Sequence, residues 1–144
     1  MKKYDSISDI LGFPYVTTDN DSALEYISLA SEGMKAYTIT NFRDHYDLSV
    51  TQISTILGTS EPTLYRKIKS NALLSISDAV KLLEVTDLFL YGEDVLESRD
   101  YFFMWLDLPN TALGGLTPME VITYPEGISK VRDLLSRIEY GVYS

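Results

Sequence analysis

The side chains in this sequence best placed to do chemistry would recognise bases rather than break bonds. They lie between Ser60 and Lys69, in the run SEPTLYRKIK. Read as a helix, this run puts Ser60, Glu61 and Pro62 in its first turn and Tyr65, Arg66 and Lys69 at its next outward positions. An Arg so placed can fork two N–H donors onto guanine O6 and N7, a pairing that discriminates by about 1–3 kcal/mol. Glu61 can accept from a cytosine amino group. Lys67 and Lys69 are point charges suited to phosphate. Locally the balance is basic, with Arg66, Lys67 and Lys69 against Glu61.

Bond-breaking chemistry has no comparable set. There is no cysteine, so no thiol nucleophile, disulfide framework or zinc-finger set is available. His45 is the only imidazole; it falls near a helix C-terminus, where the dipole favours its cation. Leu113-Gly114-Gly115 is not a phosphate loop, because no Lys-Ser/Thr follows and no strand precedes. The acid pair Glu93-Asp94 reads as solvated surface or as a face for a basic partner. No catalytic residue, metal site or cofactor is expected, and the chain does not read as an enzyme.

These candidates need an element to aim them. The segment Leu48–Lys69, LSVTQISTILGTSEPTLYRKIK, has the spacing of a helix-turn-helix. Ser54 supplies a small residue where the second helix crosses the first, and Gly58, four places on, tolerates the positive φ of the turn. Leu64 and Ile68 are set to face Ile53 and Leu57. The spacing alone fits both a DNA-binding unit and a purely structural three-helix corner.

Almost all of the chain reads as helix, since no useful length shows the two-residue alternation of a strand. An extension over 1–21 is expected to be loose or only locally ordered, with Leu11, Phe13 and Tyr15 available to dock. A helical domain over 22–91 and a second over 92–144 follow. Start signals are the Ser22…Glu25 and Ser49…Gln52 capping boxes, Ser60 with Pro62 behind it, Ser77, and Thr117-Pro118-Met119-Glu120. The first helix is expected to turn Leu24, Ile27 and Ala30 inward, and a second to span about Lys35–Tyr46. A fifth helix is expected over Asp78–Tyr91, closed by Gly92, and a sixth over about Val95–Leu106.

Charge is segregated along the chain. The net charge is -9 over 144 residues, and from Glu84 to Asp107 seven acids face Arg99 alone. Such a balance excludes indiscriminate nucleic-acid binding and leaves weak, dimer-dependent, sequence-specific binding as the expectation. The first 30 residues hold Lys2 and Lys3, then Asp5, Asp9 and Asp19, without an apolar run. No membrane association and a cytoplasmic location are expected.

The last third carries the most specific pattern. Phe102, Phe103, Met104 and Trp105 are consecutive, so about 100° separates each from the next and they cannot all enter one core. Ile128, Val131, Leu135, Ile138 and Val142 recur at +3, +7, +10 and +14, an apolar stripe that Leu134 widens.

Trp105, Pro109-Asn110, Leu113-Gly114-Gly115, Pro118, Gly127, Leu134, Ile138 and Gly141 occur in an order that resembles the toxin-binding domain of the Xre/MbcA/ParS antitoxin family. The Leu48–Lys69 segment resembles the Xre-like half of the same family. The resemblance implies an all-α protein: an Xre-like helix-turn-helix domain, then a small helical domain that binds a toxin and dimerises. It implies a cognate toxin as partner, in the commonest pairing a RES-domain protein that degrades NAD, and operator DNA as a second target. DNA contacts would come from Ser60, Glu61, Pro62, Tyr65, Arg66, Lys67 and Lys69. Arg137, Tyr140, Val142, Tyr143 and Ser144 are the expected toxin contacts, a short plug that covers the active-site cleft. Phe102, Phe103, Trp105, Leu135 and Ile138 are the expected dimer or core residues of a homodimer. The alternative is a plain helix-turn-helix transcription regulator whose C-terminal domain only dimerises.

Overall fold

The computed structural model describes residues 3–13 and 22–141. These form two units, Met1–Asp87 and Leu88–Ser144, and the division falls inside one helix. The described residues are all-α, with one isolated antiparallel bridge between Lys35 and Leu73.

The first unit holds α1 (Lys3–Leu11), α2 (Ser22–Glu32), α3 (Tyr37–Tyr46), α4 (Val50–Leu57), α5 (Glu61–Ser70) and the start of α6 (Ile76–Leu96). The extension is ordered locally, as α1, and Leu11 docks. Ile7, Ile10 and Leu11 are buried, and α1 packs on α3, where Asn41 Nδ2 donates to the Leu11 carbonyl at 2.9 Å. Three apolar residues at helical spacing supply enough buried area to hold a short helix that would be marginal alone. Tyr15 lies outside the described residues.

Two expectations change in this unit. On α2 the inward residues are Tyr26 and Ala30, continued by Met34, while Leu24 is 66% and Ile27 48% exposed. Two apolar stripes compete on that helix, and the one carrying the larger ring is buried. Helix α3 begins at Tyr37, not Lys35, because the 34–36 segment runs beside 72–74 instead. There Ala36 N donates to Ala72 O at 2.9 Å and Leu74 N to Met34 O at 2.8 Å. The core behind the helix-turn-helix is Ile39, Phe42, Ile53, Ile56 and Leu64.

Helix α6 runs unbroken to Leu96, so Gly92 does not close it. Leu82, Leu83, Val85, Leu88 and Phe89 are all fully buried. From Val85 to Phe89 every residue is buried, so this stretch of the helix lies within the core. Its cap is Ser75, not Ser77: the Asp78 N–H donates to Ser75 Oγ at 3.1 Å. The start at Ser75 brings Asp78 into the first turn, where the helix dipole favours a carboxylate.

The second unit holds the rest of α6, then α7 (Arg99–Leu106), a 3-10 turn (Thr111–Leu113), α8 (Pro118–Val121) and α9 (Gly127–Glu139). Gly92 is helical, and its reason is packing. A Cβ there would lie inside the Phe102 ring. Phe102 in turn meets Phe89 edge-on at 5.4 Å and stacks on Trp105 at 6.2 Å. Val131 and Leu135 of α9 are fully buried, while Ile128, Leu134 and Ile138 flank them half-buried.

Candidate functional site

The helix-turn-helix is built by its caps. Ser49 Oγ accepts from Gln52 N at 3.0 Å and Gln52 Oε1 accepts from Ser49 N at 2.9 Å, which starts α4 with a complete capping box. Gly58 ends α4 at φ 66°. The Ser54 hydroxyl donates to the Thr59 carbonyl and so fixes the turn from inside. Ser60 then caps α5 through Thr63 N at 3.3 Å, with Pro62 where a missing N–H costs nothing. Asn71 closes α5 at φ 49°, and its side-chain oxygen accepts from Tyr37 N at 3.0 Å.

This frame decides what α5 shows to solvent. Leu64 is buried, with Ile53 and Ile56 in the same core; Leu57 and Ile68 are half-buried at the edge. Ser60, Pro62, Tyr65, Arg66 and Lys69 are exposed along α5, and Arg66 Nη2 donates to Thr63 Oγ1 at 3.3 Å. Lys67 differs from its neighbours. It is half-buried and its Nζ lies 3.2 Å from Asp78 Oδ2, tying α5 to the first turn of α6. Glu61 is half-buried and accepts from Thr51 Oγ1 of α4 at 3.1 Å.

The second unit is organised around a loop and two starts. Asn110 clamps the loop three ways: its side chain accepts from Ala112 N at 2.9 Å, its carbonyl from Gly115 N at 2.9 Å, and its N–H donates to Leu116 O at 3.0 Å. Gly114 and Gly115 hold φ of 68° and 88° in that loop, a pair of left-handed residues that side chains would strain. Thr117 and Glu120 form a reciprocal capping box on α8, at 3.1 and 3.0 Å. Gly127 starts α9 against the Val121 carbonyl, where a Cβ would collide with backbone.

The two units match two family models. Residues 25–86 match the antitoxin Xre-like helix-turn-helix domain. Residues 92–141 match the antitoxin Xre/MbcA/ParS C-terminal toxin-binding domain. The chain belongs to the Xre/MbcA/ParS antitoxin family. It is also similar to the Prs ADP-ribosylating antitoxin of Sphingobium sp. (strain YBL2), 23% identical over 141 residues, which covers 92% of this chain and 89% of that one.

In this antitoxin the residues that carry the family pattern are mostly turns and caps. Asn110, Gly114 and Gly115 make the loop, Pro118 lies buried at the start of α8, and Gly127 lets α9 approach α8. Of the expected toxin contacts, Arg137 is exposed in the last turn of α9 and Tyr140 is 74% exposed. Val142, Tyr143 and Ser144 lie outside the described residues. Of the expected dimer or core set, Phe102 and Leu135 are fully buried, and Phe103, Trp105 and Ile138 are half-buried.

Three features were not read from the sequence. On α7 the outward apolar residues are Tyr101 and Met104, continued by Leu108, with Met104 63% exposed. The spacing of three and then four residues was available as a signal, but the bulkier Phe102–Trp105 run masked it. Tyr91 donates to Glu139 Oε1 at 2.7 Å and lies under the Arg132 guanidinium at 5.0 Å. Burial pushes the Tyr91 hydroxyl above its ordinary range, and the hydrogen bond to Glu139 adds to that rise. The Thr51–Glu61 bond was the third, since nothing in the spacing of Thr51 marks it as a partner of the second helix. Among the described residues no helix is long and apolar enough to cross a membrane.

Proposed function

We propose that this antitoxin neutralises a RES-domain toxin encoded beside it, one that consumes NAD, by covering the toxin's active-site cleft. In the same reading it represses its own operon, with α5 of the first unit in the major groove. The observation that carries the reading is the pairing of the two matches, a helix-turn-helix over 25–86 and a toxin-binding domain over 92–141. The relative's name adds ADP-ribosylation as an associated activity. Transfer of ADP-ribose and hydrolysis of NAD both break the bond to nicotinamide, so both fit an NAD-consuming toxin.

Inhibition by occlusion asks no chemistry of the antitoxin. It asks for buried anchors and a surface that excludes water. Tyr140 offers area with few rotors to freeze. The α7 stripe offers a second apolar surface, and the acids Asp100 and Asp107 stand on either side of Met104 one turn away. In a two-fold contact between copies through this stripe, those acids would approach acids of the other copy. Such repulsion favours a cation-bearing toxin surface on the stripe over a second copy of this chain.

The test is co-expression in a host that lacks both genes. The neighbouring gene alone should arrest growth and lower cellular NAD, and adding this chain should restore both. Free ADP-ribose in the arrested cells would indicate hydrolysis; ADP-ribose bound to protein would indicate transfer. A neighbour that is harmless alone would instead favour the plain transcription regulator.

A further inference from the structure

We propose that Thr51 and Glu61 form one reading unit for a cytosine in the operator, with Glu61 as the contact and Thr51 as its positioning residue. The proposal rests on the DNA-binding reading of the first unit. Glu61 is the first residue of α5, the helix whose N-terminal turn faces base edges in a helix-turn-helix. A carboxylate there is a liability, since the helix must approach a polyanion. Among the described residues no cation pairs with it. Its hydrogen bond is to the Thr51 hydroxyl, Oγ1 to Oε2 at 3.1 Å.

That geometry commits one carboxylate oxygen and leaves Oε1 open. An ionised carboxylate only accepts, so its partner must bring a donor. The major groove offers two, the amino groups of cytosine N4 and adenine N6. Adenine sets its N7 acceptor beside the amino group, where it opposes a second carboxylate oxygen. Cytosine has no such neighbour. The desolvated carboxylate is therefore best compensated where cytosine stands, less well where adenine sets N7 beside its amino group, and not by guanine or thymine, which makes Glu61 a source of discrimination more than of affinity. Thr51 is exposed on α4, and its hydroxyl fixes the carboxylate across the turn, so that the open oxygen has one direction.

A purely structural tie between α4 and α5 would change stability and overall affinity, and leave base preference alone. The experiment is selection of duplexes from a randomised library by the full chain, with Glu61→Gln, Thr51→Val and Thr51→Ser alongside and thermal melts to confirm folding. The native chain should enrich C·G at one position of each half-site. Glu61→Gln should switch that position towards A·T, since Gln pairs bidentately with adenine. Thr51→Val should flatten the preference there by about tenfold, within the range one base contact supplies, and Thr51→Ser should restore it. Unchanged preference in Glu61→Gln, or a uniform loss at all positions in Thr51→Val, would overturn the unit while leaving DNA binding intact. A native chain that enriches no sequence would overturn the DNA-binding reading itself, and this proposal with it.

Discussion

Phe102 fills the space that a side chain at Gly92 would need, so the last turns of α6 and the Phe102 ring of α7 are in close contact. A glycine inside a helix is destabilising by about 0.5–1 kcal/mol relative to alanine. Here the sign reverses. Gly92→Ala should lower stability by about 1–3 kcal/mol, the usual cost of an overpacked core. Chemical denaturation of the two proteins measures it. A gain in stability would show that Phe102 yields without cost.

Asn110 holds its loop by side chain and backbone together. Asn110→Ala removes the side-chain acceptor from Ala112 N and should cost about 0.5–2 kcal/mol, the range for a lost cap. The loss should appear in thermal melts and should leave DNA affinity unaltered. Equal stability of the variant would mean the backbone bonds alone keep the loop.

Lys67 and Lys69 are two residues apart yet face different tasks. Lys69 is exposed, while Lys67 is paired with Asp78 at 3.2 Å. On the best duplex from selection, Lys69→Ala should lower the slope of log affinity against log salt by about 1. Lys67→Ala should leave the slope nearly unchanged and cost under about 1 kcal/mol of stability, as partly exposed pairs do. The reverse pattern would move the phosphate contact to Lys67.

Arg66 stands exposed one turn after Pro62, with its guanidinium on the Thr63 hydroxyl. Arg66→Ala should weaken binding to the selected duplex by about 1–3 kcal/mol and relax preference at a G·C position. Toxin neutralisation should be unaffected. Unaltered DNA affinity would remove Arg66 from the reading surface.

Tyr91 gives a pH signature. Its hydroxyl is raised above the ordinary value of 10.0 by burial and by its bond to Glu139. A raised pKa means that the fold favours the protonated form. The stabilisation is therefore fully present below pH 10 or so, and is lost as pH climbs through the folded value. The stability difference between the native chain and Tyr91→Phe should be flat below that range and should shrink above it. A difference that grows with pH would contradict the assigned direction.

Much of this was legible because caps are local. The Ser49…Gln52 and Thr117…Glu120 boxes, the Gly58 turn and the Gly114-Gly115 loop depend on residues within a few places of one another, and each is written in residue type. What failed depends on distant partners. Gly92 read as a stop because its reason, the Phe102 ring, lies in another helix. Leu24 and Ile27 read as inward because a period cannot tell which of two apolar stripes is buried. The Thr51–Glu61 bond spans the turn, and no rule of spacing singles out that threonine.

The second unit matches a toxin-binding domain, so a complex with a toxin is the property to measure. The direct measurement is light scattering on the tagged chain purified with the product of its neighbouring gene, in native form and with Tyr140–Ser144 removed. A stoichiometric complex is expected for the native chain, and loss of that complex on truncation with DNA binding kept. A native chain that elutes as a bare homodimer, binding its promoter and ignoring the neighbour, would contradict it.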